Sequence, residues 1–383
     1  MDVKQIYTLV NSATSEILGE SVLLKEDLSN LVDVGAQISA SDVDAYVKSL
    51  VNHIGKVIFV NRAYSGGAPS VLMDGWEFGS ILEKVQADMP EASENESWNL
   101  QDGYSYDQQI FYQPSVSAKF YNKKVTFEIA MSFTTLQVKQ SFSDTAQLNG
   151  FISMLYNAVD KALTVKIDSL VMRTINNMIG ETAYAEVPGG SYGNRTGLKF
   201  VNLLYEFNQQ YNESLTKADA IVDPDYIKFA SYRMGLTADR MSKISTLYNI
   251  GGKERFTPAD MLHVVLLSDF AKSADAFLQS GVYHNEYTKL PNAETVPYWQ
   301  GSGTGYGLDD VSKVYITTAS GHDVEIGGVI GVMFDRDALG VANLDRRTTT
   351  AYNAKGEFYN NYFKFDAGYF NDTNENFVVF YMA

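Results

Sequence analysis

From Asp144 to Ile179 the chain contains no proline, and apolar residues recur at helical spacing throughout: Leu148, Ile152, Leu155, Val159, Leu163, Ile167, Leu170, Ile175 and Met178. At 1.5 Å per residue such a helix is roughly 50 Å long, more than the width of most globular domains. A fold built on it must treat the helix as a spine that other elements pack along. Gly180 reads as its stop, and a break near Thr164-Val165 would halve it.

The segments flanking the spine differ in character. The first 55 residues read as two helices, Asp2 to Leu18 and Ser41 to Ile54, joined by an extended arm at "NLVDVGAQI", which shows no helical stripe. "KVIFVNRAY" then reads as a strand and "SGGAPS" as a break. From about Ser70 to Leu136 the chain makes a long two-way excursion. Its tip, "QADMPEASENESWNL", concentrates Asp88, Glu91, Glu94 and Glu96, and it closes with a strand in which Val125, Phe127, Ile129, Met131 and Phe133 alternate with polar or small residues. A hairpin of this kind is marginal in water by itself, so it needs a surface to lie on.

After the spine, "EVPGGSYGNRTG" is a loop and the best internal boundary. An α/β block follows: "LKFVNLLYEFNQQYN" reads as helix, Asp223-Pro224 starts a helix through about Tyr248, "MLHVVLLS" is a buried strand and "SDFAKSADAFLQS" a helix. From Val311 the chain returns to strands, "KVYITTA", "VIGVMFD", "YFKFDAGYF" and "NFVVFYM". The class is mixed α+β.

Charge and composition restrict function. With 46 acidic and 30 basic residues the formal charge is −16, and the densest basic groups are the pairs Lys123-Lys124 and Arg346-Arg347, so the surface repels phosphate backbones and anionic membranes. The absence of cysteine excludes disulfides, thiolate metal sites and a cysteine nucleophile. The amino terminus lacks the apolar core of a signal peptide, and no run of apolar residues is long enough to span a bilayer, which leads to the expectation of folding in a cytoplasm. The 25 Tyr and 21 Phe suit extensive contact surfaces.

Catalytic patterns fail on context. Gly189-Gly190-Ser191-Tyr192-Gly193 fits G-x-S-x-G, but it follows a helix and Pro188 where a nucleophile elbow requires a strand. "GSGTGYG" at Gly301–Gly307 matches no phosphate-binding motif and reads as a loop anchored by Tyr298 and Trp299. His53, His263, His284 and His322 have no metal spacing, and His263 reads as a satisfied core or interface histidine. Asp335-Arg336-Asp337 reads as a salt-bridged turn rather than a metal site. No catalytic residue, cofactor or metal ligand is expected, and the work of the chain is contact.

The order of elements, arm, acidic excursion, spine, α/β block and returning strands, resembles the major capsid proteins of tailed double-stranded DNA bacteriophages, which have the Hong Kong 97 capsid fold. The likeness lies in "DAYVKSLVNHIGKVIFVNRAYSG", "WEFGSILEKVQADMPEA", "SWNLQDG", "FTPADMLHVVLLSDFAKSADAFL", "VPYWQG", "VIGVMFDRDALGV" and "TTTAYNAKGEFYNNYFKFDAGYF", so it covers nearly the whole chain. It implies an N-terminal arm at 1–54, an E-loop at 55–140, a P-domain at 141–199 and 343–383, and an A-domain at 200–342. It further implies hexamers and pentamers closing into an icosahedral shell around double-stranded DNA bound without sequence specificity, in the virion after assembly in the host cytoplasm. A separate scaffolding protein, a portal and decoration proteins are the implied partners, with no membrane. Candidate subunit contacts are Trp76, Phe78, Glu83, Lys84, Glu91, Trp98, Trp299, Asp335, Arg336 and Asp337. A tail or baseplate component is the structural alternative, and a serine hydrolase using Ser191 the enzymatic one.

Overall fold

The computed structural model describes residues 3–19, 22–25, 29–40, 43–60, 68–73, 82–87, 90, 94, 101–104, 109–113, 115–281, 293–300, 307–318 and 321–383. In chain order these form α1 (Val3–Leu18), α2 (Leu31–Ala40), α3 (Val43–Val60), β1 (Leu72–Met73), β2 (Leu82–Ala87), β3 (Val116–Tyr121), β4 (Lys124–Thr134), α4 (Thr135–Ser141) and α5 (Thr145–Glu186). The second half forms β5 (Phe200–Asn202), α6 (Leu203–Tyr211), α7 (Lys217–Ala220), α8 (Pro224–Met241), β6 (Leu262–Leu267), α9 (Ser268–Gly281), β7 (Glu294–Val296), α10 (Leu308–Val311), β8 (Val314–Thr317), β9 (Asp323–Ile326), β10 (Val329–Asp335), β11 (Leu339–Asn353), β12 (Phe358–Asn371) and β13 (Phe377–Tyr381).

The spine is α5, 42 residues without interruption, capped by the Asp144 carboxylate on the Ala146 amide. Thr164 does not break it; its hydroxyl donates to the Asp160 carbonyl one turn back at 2.9 Å. Gly180 does not stop it either. A Cβ there would lie 2.6 Å from Ile316 Cγ2, so this glycine is a notch through which β8 approaches the helix rather than a terminator.

Two sheets flank the spine. One has strand order β1-β11-β12-β4, the other β5-β13-β10-β6-β7; β2 with β3 and β8 with β9 form separate two-stranded ribbons. In the five-stranded sheet, alternate residues serve two cores. Val265, Val332, Phe334 and Val379 face the core shared with α5, the amino-terminal helices and the other sheet. Val264, Met333, Val378 and Phe380 face the core made with α6, α8 and α9. Burial on both faces is why "MLHVVLLS" and "NFVVFYM" carry no polar alternation. The stretch Gly328–Val341 runs from β10 in this sheet to β11 in the other, so Arg336–Ala338 is the corner between sheets.

Several sequence expectations are corrected. Residues 31–40 form α2 instead of an extended arm: Leu31, Val34 and Ile38 are an i, i+3, i+7 stripe, and Gly35 permits contact with Phe142, whose Cβ would be 2.5 Å from an added Cβ. Residues 56–60 continue α3, so the helix overrides the β propensity of Val57, Ile58 and Val60; residues 61–64 lie outside the described residues. Helix α8 ends at Met241, not Tyr248, and "LKFVN" supplies β5 before α6 begins at Leu203. The expectation of a satisfied histidine at His263 is also corrected: among the described residues its buried Nε2 has no hydrogen-bond partner, and burial holds the imidazole below its usual pKa.

Gly328 and Gly321 both have positive φ, +80° and +85°. At Gly328 a Cβ would stand 1.9 Å from the Met382 carbonyl oxygen, whereas nothing lies within 4 Å at Gly321. Gly321→Ala is expected to lose about 1 kcal/mol from the backbone conformation alone, and Gly328→Ala more than about 3 kcal/mol because the last strand must move. Denaturant unfolding of unassembled subunits distinguishes them.

Candidate functional site

The β2–β3 ribbon pairs Leu82 with Tyr121 through Ala87 with Val116. Strand alternation sends Lys84, Gln86 and Lys119 to one face, and these three reach a turn on the body of the subunit. Lys84 Nζ lies 3.1 Å from Asp372 Oδ2 and 2.7 Å from Glu375 Oε1, and Lys119 Nζ lies 2.8 Å from Asp372 Oδ1. Gln86 donates to Glu375 at 2.8 Å and accepts from Arg255 at 2.6 Å, while Arg255 Nε stands 3.3 Å from Glu375. The Asp372 side chain has no exposed surface and Glu375 only 9%.

Six polar side chains thus satisfy one another at the point where the excursion leaves the body. Two buried carboxylates without these partners would be strongly destabilising. Burial pushes the Asp372 carboxyl up, but Lys119, the Asn374 amide and Lys84 outweigh it, so the net displacement is below the usual carboxylate range. The root of the excursion is held again nearby: the Ser70 amide and hydroxyl donate to Glu294 at 3.0 and 2.6 Å, and β1 pairs with β11.

The sheet corner completes the site. Lys84 Nζ donates to the Asp337 carbonyl at 3.3 Å, and the Asp372 amide donates to the Ala338 carbonyl at 2.7 Å. The Asp335 carboxylate is buried and accepts from the Asp337 amide at 2.9 Å; the Arg336 amide donates to Met261 O. Burial pushes the Asp335 carboxyl up, against the Asp337 amide and Thr257. Asp335-Arg336-Asp337 is a turn, as its sequence suggested, but it is organised by backbone bonds and the interior carboxylate of Asp335.

Of the remaining candidates, Glu83 lies on the outward face of the ribbon, and Trp76, Phe78, Glu91 and Trp98 fall outside the described residues. Trp299 is fully buried, with Nε1 donating to Val329 O at 2.8 Å and its carbonyl accepting from Asn176 at 2.9 Å. It anchors the loop to α5 inside the subunit and leaves no side-chain surface for a neighbour, which corrects the expectation of a contact residue. Sequence reading missed Lys119, Arg255, Asp372 and Glu375. Their only signal was a pair of acids in the "NDTNEN" turn, whose partners lie more than 100 residues away.

Ser191 sits in a turn after α5, where Gly189 and Gly190 have positive φ, and among the described residues no histidine bonds it. Among the described residues no group of acidic or histidine side chains is arranged to hold a metal ion.

The sequence profile described as Phi29-like phage major capsid protein matches residues 9–381. The chain belongs to that family. No curated protein matches it in sequence. Among solved structures, the capsid protein is similar to a chain in the structure of the head fiber and inner core protein gp22 of native bacteriophage P68, at 10% identity, over 85% of this chain and 86% of that one, with a TM-score of 0.51. It also matches chains from the capsid of Staphylococcus phage Andhra (12% identity, 84% and 86% coverage, TM-score 0.45) and of Cyanophage P-SCSP1u (11%, 85% and 90%, 0.44). The capsid protein has the Hong Kong 97-like fold, in the mixed α+β form with a long spine helix.

Replacing Lys84 with Met removes the cation shared by Asp372 and Glu375 and is expected to lose about 3 kcal/mol in denaturant unfolding at pH 7. Because the folded-state pKa of Asp372 is depressed, its stabilising contribution is complete above the ordinary carboxylate pKa and fades as pH falls below about 4. The difference between wild type and Lys84→Met is expected to shrink over that range; a constant difference contradicts the assignment.

Proposed function

We propose that this major capsid protein builds a closed icosahedral shell of hexamers and pentamers, with the excursion of each subunit lying on a neighbouring copy. The observation that carries the proposal is that the β2–β3 ribbon is inverted. Its charged face is turned inward onto Asp372 and Glu375, and its outward face presents Val85, Val116, Ala118 and Phe120 beside Glu83. Val85 is 61% exposed, Val116 56% and Phe120 64%, and nearby Phe111 and Tyr112 exceed 80%. A two-stranded ribbon that spends its polar groups on its own subunit and offers apolar ones to solvent is suited to be covered on assembly.

In this reading residues 1–54 are the N-terminal arm, 55–140 the E-loop, 141–199 with 343–383 the P-domain, and 200–342 the A-domain. The corner at Arg336–Ala338 is the exit from the A-domain, and the ion cluster sets the angle at which the E-loop leaves the body. Assembly proceeds in the host cytoplasm with a separate scaffolding protein and a portal, decoration proteins join the outside, and the shell holds double-stranded DNA without sequence-specific contacts. A net charge of −16 suits a wall that does not grip packaged DNA. Among the described residues no helix is long and apolar enough to cross a membrane. The protein acts by contact and carries no catalytic role.

Val85→Glu and Phe120→Glu put charge on the outward ribbon face without touching the ion cluster. Both are expected to leave subunit unfolding within about 0.5 kcal/mol of wild type while abolishing shells in electron micrographs of the chain co-expressed with its neighbouring genes. Normal shells from both variants contradict the proposal.

A further inference from the structure

Strand β4 is an outer strand of its sheet, and its pairing with β12 runs in one continuous register from Lys124–Gly368 to Thr134–Phe358. Two bonds continue that register at its ends: the Thr135 amide to Glu357 O at 2.9 Å, and the Tyr369 amide to Lys123 O at 3.2 Å. Both fall on odd-numbered rows of β4. In an antiparallel ladder bonded rows alternate with unbonded ones, so the odd residues turn their backbone groups toward β12 and the even residues turn theirs out of the sheet. Thr134 obeys the rule, its outward amide being taken by Gln137 Oε1 at 2.9 Å.

The next four outward residues, Thr126, Glu128, Ala130 and Ser132, have no such substitute. Among the described residues nothing bonds their amides or carbonyls. The open edge spans seven residues, about 23 Å. The usual protections of a free edge are missing from it: it holds no proline, bulge or lysine. Its one charge, Glu128, is drawn back over the sheet by Lys364 at 3.0 Å. On the apolar face of the strand Phe127, Ile129 and Met131 remain only half-buried, so the core is incomplete along the same edge.

We propose that the Thr126–Ser132 edge of β4 is a docking site for an extended segment of a second copy of this chain, added as a further strand of the sheet. The proposal rests on the shell reading, which places identical copies side by side and makes them the partner present at highest local concentration. The chemistry required of the partner is an alternating strand, apolar toward Phe127, Ile129 and Met131 and polar on the other side. The chain contains such a segment in β3, where Val116, Ala118 and Phe120 alternate with Ser117 and Lys119. Strand addition supplies partners for four amides and four carbonyls at once and extends the half-covered apolar row.

Residue-resolved amide hydrogen exchange tests this on unassembled subunits and on assembled particles of the full chain. In subunits the odd amides of β4 are protected and the amides of Thr126, Glu128, Ala130 and Ser132 exchange freely; in particles those four are expected to slow by roughly 100-fold or more. Intact shells in which they still exchange freely overturn the strand-addition proposal and leave the shell reading standing. Protection that appears only when a different protein binds overturns the choice of partner. Failure to form particles under any co-expression condition contradicts the shell reading and this proposal with it. As a second handle, Ala130→Pro removes an outward amide and no bond to β12, so subunits are expected to fold and not assemble. Ala130→Lys, which adds charge beside the edge, is expected to do the same; normal assembly by both variants also overturns the proposal.

Discussion

Two carboxylates in the turn before the last strand, Asp372 and Glu375, determine where the excursion points. They are buried, so they require cations, and three side chains supply them: Lys84 and Lys119 on the ribbon and Arg255 in the loop before β6. The cost of leaving any of these charges unpaired in a desolvated site fixes the ribbon against the body more firmly than surface ion pairs could. The same cluster takes in the sheet corner through the Asp337 carbonyl. Ribbon, corner and the turn before the last strand are therefore joined in one network of ion pairs and hydrogen bonds.

From that constraint the rest of the surface follows. Because Lys84, Gln86 and Lys119 face the body, Val85, Val116 and Phe120 on the opposite face of the ribbon are left exposed. The opposite arrangement holds in the interior, where the five-stranded sheet buries both faces, one against α5 and the other against α6, α8 and α9. The spine links the two regimes. Its carboxy-terminal half is buried on most sides, from Leu170 to Ala183, while its amino-terminal half buries one stripe beneath the four-stranded sheet and the amino-terminal helices.

What could be read from the sequence follows from the range of the forces involved. The spine, β4, β6, β10, β12 and β13 declare themselves because their patterns are local: a period of 3.6 or 2, or an unbroken apolar run. The errors lie where a distant contact decides. Gly180 looks like a stop until Ile316 is seen to occupy its missing side chain, α2 is stabilised against Phe142, and α3 runs on through β-branched residues that local propensity assigns to a strand. The ion cluster is the extreme case. Lys84 alone was legible as a candidate, because alternation along "LEKVQA" says which residues share a face but not which face meets the protein. Trp299 misled for a related reason, since an aromatic beside a glycine-rich loop reads equally as a contact or an anchor, and only the buried Val329 carbonyl and Asn176 amide decide.

The central claim is that the outward face of the ribbon is subunit-contact surface because its inward face is committed to the ion cluster. A cryo-electron microscopy reconstruction of assembled particles, at a resolution that shows side chains, tests it most directly. The account predicts Val85, Val116 and Phe120 packed against an adjacent copy, with Lys84 and Lys119 still on Asp372 and Glu375 of their own subunit. A shell in which that face remains in solvent, or in which the two lysines leave their own subunit to pair across the interface, contradicts it.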